Sequence, residues 1–224
     1  MSFRRKDLIK SNPARDLDWL ENASEGFHTW TDDEIRQFEA YHPIGSKARL
    51  ALCLLMWLGV RRSDVVGLGR QHVRDGVIRF TAVKNARRKP VRLELPIVPE
   101  LQAVIDATDT VGDMTFLTTQ FGRSFSVAGF GNWFRDRCNE AELPHCSAHG
   151  LRKATAVAIA EGGASPHQLG AALGWVGLAE PERYTRAASR AKMARSVMSL
   201  TAGRGLRVWP RMGTSCGPLH PGRS

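Results

Sequence analysis

At 224 residues, 42% apolar and 24% charged, the chain has an ordinary globular composition and enough length for one sizeable domain or two small ones. Thirty-two Lys and Arg against 22 Asp and Glu leave a net charge of +10 and a pI near 10.1, which favours a polyanionic partner, nucleic acid before an anionic membrane surface. The longest apolar run, Leu50 to Val60, is too short to span a bilayer, and no apolar stretch follows the basic Arg4, Arg5 and Lys6 to make a signal peptide.

Residues 1–27 are polar, with a turn or linker expected at Ser11 to Asp16, and read as a linker or the remnant of an N-terminal DNA-binding region. Structure is expected to begin at "TWTDDEI", where Thr31 caps a helix, Glu34 completes a capping box and Trp30 precedes it. A second helix, from about Ser46 to Leu58, is apolar almost all round and therefore predicted to be buried. Two strands follow: "GVIRFTAV" opens after the Asp75-Gly76 turn signal, and "PVRLELP" alternates Val91, Leu93 and Leu95 with Arg92 and Glu94. The basic "KNARRK" between them forms a hairpin tip.

From about Pro99 the chain reads as helices: "PELQAVIDA", "SVAGFGNWFRDRCNEA", "SAHGLRKATAVAIAEGG", "SPHQLGAALG" and "PERYTRAASRAKMARSVMSL". Ser126 and Ser165 are expected caps, and Gly162-Gly163 a helix stop. From Gly203 onward five Gly, three Pro and four Arg occur without an acidic residue, the composition of a disordered basic tail. The expected fold class is α+β, mainly helical with one small antiparallel sheet. The expected organisation is 1–27, a domain over 28–202 and the tail at 203–224.

The four cysteines, Cys53, Cys138, Cys146 and Cys216, form no CxxC pair, and no Cys/His cluster has zinc-ligand spacing along the chain. Reduced thiols in a cytoplasmic protein are the expectation, with no metal and no cofactor.

Cleaving a phosphodiester without a metal requires an aligned nucleophile, cationic donors around the non-bridging oxygens, and an acid for the departing 5′-oxygen. Arginine suits the second role because its planar fork grips two oxygens and keeps its charge. Tyrosine suits the first, since a phenol ionises more readily than an aliphatic hydroxyl. These parts occur in order: Arg61 in "GVRRSDVVGL", Lys84 at a strand end, His149 and Arg152 three apart on one helical face, and Trp175 nine residues before Tyr184. Singly, each has a plainer counterpart. Arg61 could be a surface charge, Trp175 a core aromatic and Tyr184 a packing residue, while Lys84 shares its tip with Arg87, Arg88 and Lys89. The set is what carries weight.

In order, spacing and neighbours these segments resemble the tyrosine site-specific recombinases of the phage integrase family, over roughly residues 28–200. The family's first arginine lies in a G-[LVQ]-R-x-S-[DE]-x-x-x-L setting, matched by Gly59 to Leu68. Its lysine lies on a downstream hairpin, its H-x-x-R box opens a helix, and its L-G-[HW] box precedes the tyrosine by nine residues. "NPARD" resembles the linker that leads into the catalytic domain.

The resemblance implies a tyrosine-recombinase catalytic-domain fold and Tyr184 as the nucleophile that forms a 3′-phosphotyrosyl link. Arg61 and Arg152 would neutralise the transition state, with Trp175 donating one more hydrogen bond. Lys84 would protonate the 5′-oxygen and His149 assist deprotonation of the tyrosine. Arg87, Arg88, Lys89 and Lys153 would contact DNA. Implied partners are double-stranded DNA and, on DNA, a homo-tetramer in which a helix from Ala188 passes to a neighbour. In solution a monomer is expected, with no membrane association and a place in the cytoplasm beside the bacterial nucleoid. Two departures stand out. Trp175 replaces the commoner histidine and cannot shuttle protons. Only 27 residues precede the match, where full-length members carry a helical core-binding domain. A truncated, non-catalytic DNA-binding remnant is therefore the main alternative. A type IB topoisomerase is another, and a basic scaffold binding RNA or protein a third.

Overall fold

The apolar stretch from Leu50 to Leu58 forms the centre of the molecule. In the computed structural model, which describes residues 26–202 apart from Asn85, Arg87, Arg88, Thr110 and Asp113, this stretch lies in helix α2 (Lys47–Leu58). Six consecutive α2 residues, Leu50 to Leu55, are buried. Ser46 accepts from the Arg49 amide to start the helix. Gly59 ends it at φ +56, a left-handed conformation in which a Cβ would also collide with Leu173.

Helix α1 (Asp32–Tyr41) begins as its sequence predicts. The Thr31 hydroxyl accepts from the Glu34 amide, and Glu34 Oε2 accepts from the Thr31 amide at 2.7 Å. Trp30 is buried beside Phe38 and Phe134, and its indole N–H donates to the Ser147 carbonyl at 2.9 Å. That bond ties the start of the described chain to a segment 117 residues away.

After α2 come a short helix α3 (Arg62–Val65), a 3-10 turn (Arg70–His72) and an antiparallel sheet in the order β1 (Val73–Arg74), β2 (Val77–Thr81), β3 (Arg92–Pro96). In β2–β3 the register pairs Ile78 with Leu95 and Phe80 with Leu93, so the apolar side chains face one way. Helices α4 (Pro99–Asp106), α5 (Val127–Glu140), α6 (Ala148–Glu161), α7 (Pro166–Leu173) and α8 (Ala179–Ala202) complete the described chain. Ser126, Ser147 and Ser165 cap α5, α6 and α7.

The expected fold class is the one found. The structure adds α3, the 3-10 turn and β1, which lay outside the sequence reading, and starts α8 two residues before the expected Pro181. Of the expected linker at 1–27 only Gly26 and Phe27 are described, and the tail from Gly203 falls outside the described residues. Helix α6 packs on α2 on one side and on α7 and α8 on the other. A small second apolar cluster of Ala156, Ala160, Leu169 and Leu173 holds α6 and α7 together, with Trp175, Tyr184 and Ala188 against it. Among the described residues no helix is long and apolar enough to cross a membrane.

Candidate active site

Two helix starts aim their cationic residues into one cavity. Arg61 is the residue preceding α3, directly after the chain reversal at Gly59, and His149 and Arg152 lie in the first turns of α6. All three line an open cavity of about 290 Å³, together with Arg62, Ser63, Arg135 and Ser147.

Arg152 is the fixed point of the site. It is only 5% exposed, and its guanidinium donates to the Gly59 carbonyl and, at 2.6 Å, to the Leu173 carbonyl. These two carbonyls end α2 and α7, so one side chain joins three elements. Burial, then the nearby Arg61 charge, bring its pKa down to about 10, still well above neutrality. Two bonded N–H groups leave three others on the fork for an incoming anion.

Its guanidinium carbon lies 5.4 Å from the centre of the Trp175 ring, and that ring stacks on Tyr184 at 5.6 Å and 11°. Tyr184 itself does not line the arginine cavity. It borders a neighbouring hollow with Lys153, Val157, Glu161 and Arg183. Burial, then the Glu180 charge, raise its phenol pKa, against the smaller opposing effects of Arg183 and Arg152. No hydrogen bond ties its hydroxyl to a described residue.

His149 is exposed at the cavity, its ring 4.7 Å from that of Phe27. Partial desolvation, then the charges of Arg152, Lys153 and Arg61, lower its pKa against the smaller opposing effect of Glu180, which favours the neutral imidazole. Lys153, half-buried, donates from Nζ to the Phe27 carbonyl at 2.6 Å. Its ammonium is thus engaged by the chain's own backbone.

Lys84 is exposed three residues after β2 and lies outside the cavity lining; Lys89 is exposed at the far side of the hairpin. Arg87 and Arg88 fall outside the described residues. Sequence reading missed the group that connects this hairpin to the site. Asp64, buried in α3, accepts from the Val83 amide at 2.8 Å through Oδ1, fixing the residue before Lys84 to the helix that follows Arg61. Its signal was present as the acidic position of the "RRSD" motif. Phe27 and Glu180 were also missed, and carry no motif of their own.

The sequence profile of the phage integrase family matches residues 31–190. The chain belongs to the phage integrase family. No curated protein matched it in a sequence search. Solved structures share its fold at low identity. The XerA recombinase matches with a TM-score of 0.61 and 16% identity, over 75% of this chain and 63% of its own. The Tn1549 transposon integrase, solved with transposon right end DNA, gives a TM-score of 0.66 and 18% identity over 84% of this chain and 72% of its own. A lambda integrase dimer bound to a COC' core site gives 0.58 and 18%, over 70% and 59%. This integrase-family chain thus spans less than two thirds of the XerA and lambda integrase chains it matches.

Proposed function

We propose that the chain is a site-specific DNA recombinase that cleaves and rejoins DNA through a 3′-phosphotyrosyl intermediate at Tyr184. The observation that carries this reading is the convergence of Arg61, His149 and Arg152 on one open cavity, with Arg152 connected through Trp175 to Tyr184. Family membership and the DNA-bound state of the lambda and Tn1549 integrases support double-stranded DNA as the partner. The dimer and tetramer described for lambda integrase support assembly of several copies on DNA.

Arg61 and Arg152 hold the non-bridging oxygens of the scissile phosphate and offset the charge that grows on them. The Tyr184 oxygen attacks phosphorus, its proton passing to neutral His149. The bond from phosphorus to the 5′-oxygen breaks, and Lys84 gives that oxygen a proton. Trp175 donates its indole N–H to a phosphate oxygen. Religation runs the same steps backward, and the phosphotyrosyl bond conserves the energy of the bond it replaced. Lys84 lies outside the cavity lining and Tyr184 borders a different hollow, and in this reading the hairpin and the start of α8 close on the arginines when DNA binds. Arg87, Arg88 and Lys89 at the hairpin tip contact the backbone of the same duplex; Lys153 does so only on releasing the Phe27 carbonyl.

The displaced position of Tyr184 also favours a second reading, a chain that occupies DNA without cutting it. One experiment separates the two. The protein is mixed with nicked duplexes from attachment sites, without added metal, and a denaturing gel is read for a protein–DNA adduct. An adduct that disappears in Tyr184→Phe, with binding retained, supports the recombinase. Binding without an adduct on any duplex supports the second reading, and an adduct that persists in Tyr184→Phe removes Tyr184 from its role.

A further inference from the structure

Four side chains of metal-ligand type, scattered along the sequence, meet beneath the start of α6. His28 precedes α1, Glu34 lies in its first turn, and His145 and Cys146 immediately precede the Ser147 cap. The Nε2 atoms of His28 and His145 lie 2.8 and 2.6 Å from the same carboxylate oxygen, Glu34 Oε1. With the Cys146 sulfur included, the four donor atoms lie within 4.8 Å of one another. From these positions we propose that His28, Glu34, His145 and Cys146 form a structural zinc(II) site that clamps the segment before α1 to the start of α6.

The donor set decides the metal class. Imidazole, carboxylate and thiolate are each ligands that zinc accepts in four-coordinate tetrahedral geometry, whereas magnesium and calcium require oxygen ligands. Metal–ligand bonds of about 2.0–2.3 Å place tetrahedral donors roughly 3.3–3.6 Å apart. The separations, 2.6 and 2.8 Å from the imidazoles to Glu34 Oε1 and none above 4.8 Å, straddle that range, so shifts of about an ångström bring the four donors round one ion. Glu34 is suited to two tasks at once: Oε2 caps α1 through the Thr31 amide, and Oε1 faces both imidazoles.

Charge also balances. Burial alone would raise the Glu34 carboxyl, but the Thr31 amide and the His145 and His28 hydrogen bonds outweigh it and hold it near 2, so the ligand is ionised at neutral pH. Burial, then the Glu34 and Cys138 charges, push the Cys146 thiol up to about 12. Without a metal it therefore keeps its proton. Coordination releases that one proton and leaves a neutral site of Zn²⁺, carboxylate, thiolate and two neutral imidazoles. In the metal-free fold Nε2 of each imidazole donates to Glu34; on coordination that nitrogen binds the metal and the imidazole proton resides on Nδ1.

The site would lie directly behind the cavity. Phe27, the neighbour of His28, packs on His149 and accepts from Lys153. Gly150 lets the chain lie that close, since a Cβ there would collide with the His28 carbonyl. A bound ion would fix the wall of the cavity without touching the reacting atoms. The clamp does not depend on the recombinase reading.

The test uses the full chain with Cys216→Ser, which removes the tail thiol, stripped by chelator and titrated with zinc chloride or cobalt chloride. The expected result is one equivalent bound and a sulfur-to-cobalt charge-transfer band. Cys146→Ser should lose the band, and His28→Ala/His145→Ala should lose the equivalent and weaken binding at least tenfold. Both histidines are exposed, so the double variant should fold, and circular dichroism checks this. The cobalt spectrum of the unsubstituted site needs no folding control. Absence of the band there, or equal stoichiometry in the double variant, overturns the proposal.

Discussion

The Trp175 and Tyr184 rings lie 11° from parallel with centroids 5.6 Å apart, and the Arg152 guanidinium carbon is 5.4 Å from the same indole. The tryptophan is thus the joint between the buried arginine and the proposed nucleophile. This gives the departure from the commoner family histidine a physical use. Tryptophan offers a larger apolar face for the tyrosine than an imidazole does, and keeps a ring N–H as donor.

Removing that face should be measurable on both neighbours. Trp175→Ala is expected to cost about 2 kcal/mol in denaturant unfolding, below the cost for a fully buried tryptophan because the residue is only partly buried. The Tyr184 phenol, raised chiefly by burial, should titrate closer to its ordinary value in the same variant. Ultraviolet titration in a Tyr41→Phe background reads Tyr184 alone, and an unmoved titration would mean that the stacking does not shield the phenol.

The two arginines should separate cleanly. Arg152 bonds the Gly59 and Leu173 carbonyls from a buried position, so Arg152→Ala removes fold and function together. Its expected cost is about 3 kcal/mol of stability from buried acceptors left unpaired and lost packing. Among the described residues Arg61 makes no such bonds, and Arg61→Ala should leave the melting temperature nearly unchanged. Its expected effect is a loss of about 10²–10³ in cleavage rate. Equal thermal shifts for both variants would mean that Arg61 supports the fold as Arg152 does.

Asp64 should act on the hairpin through its backbone. Its buried Oδ1 accepts from the amide of the exposed Val83, and Asp64→Ala removes that bond at an expected cost of about 1 kcal/mol. The local consequence is the more telling one. Limited trypsin digestion should cut the variant faster within Lys84–Lys89 than elsewhere, whereas uniformly faster digestion would indicate global destabilisation alone.

Helices with a capping residue and a long apolar pattern were readable in the sequence: Thr31 with Glu34, Ser126 and Ser165 each mark a start found in the structure. Elements of two to four residues were not, because β1 and α3 are too short for periodicity and depend on partners elsewhere. At the site, Arg61, His149 and Arg152 were legible as a motif and the fold brings them together. The hydrogen bonds of Arg152 were not, since carbonyls exposed at two distant helix ends leave no trace in side-chain chemistry. The cluster of His28, Glu34, His145 and Cys146 was hidden for a related reason. Its halves are separated by 111 residues between Glu34 and His145, and no local spacing announces them.

The same cluster sets an acid limit on the metal-free fold. Glu34 has a folded-state pKa of about 2, below the ordinary carboxylate value, because its hydrogen bonds from Thr31, His145 and His28 overcome the effect of burial. A carboxyl depressed by folding stabilises the protein above its unfolded pKa, near 4.5, and that contribution fades as pH falls toward 2. After allowance for solvent screening at this partly open site, the contribution is about 1 kcal/mol. Glu34→Gln should therefore lie below the parent in urea-unfolding free energy at neutral pH, in the presence of chelator. The gap should close steadily below pH 4.5. A gap constant across that window would show that Glu34 titrates as an ordinary carboxylate and contributes through its cap geometry alone.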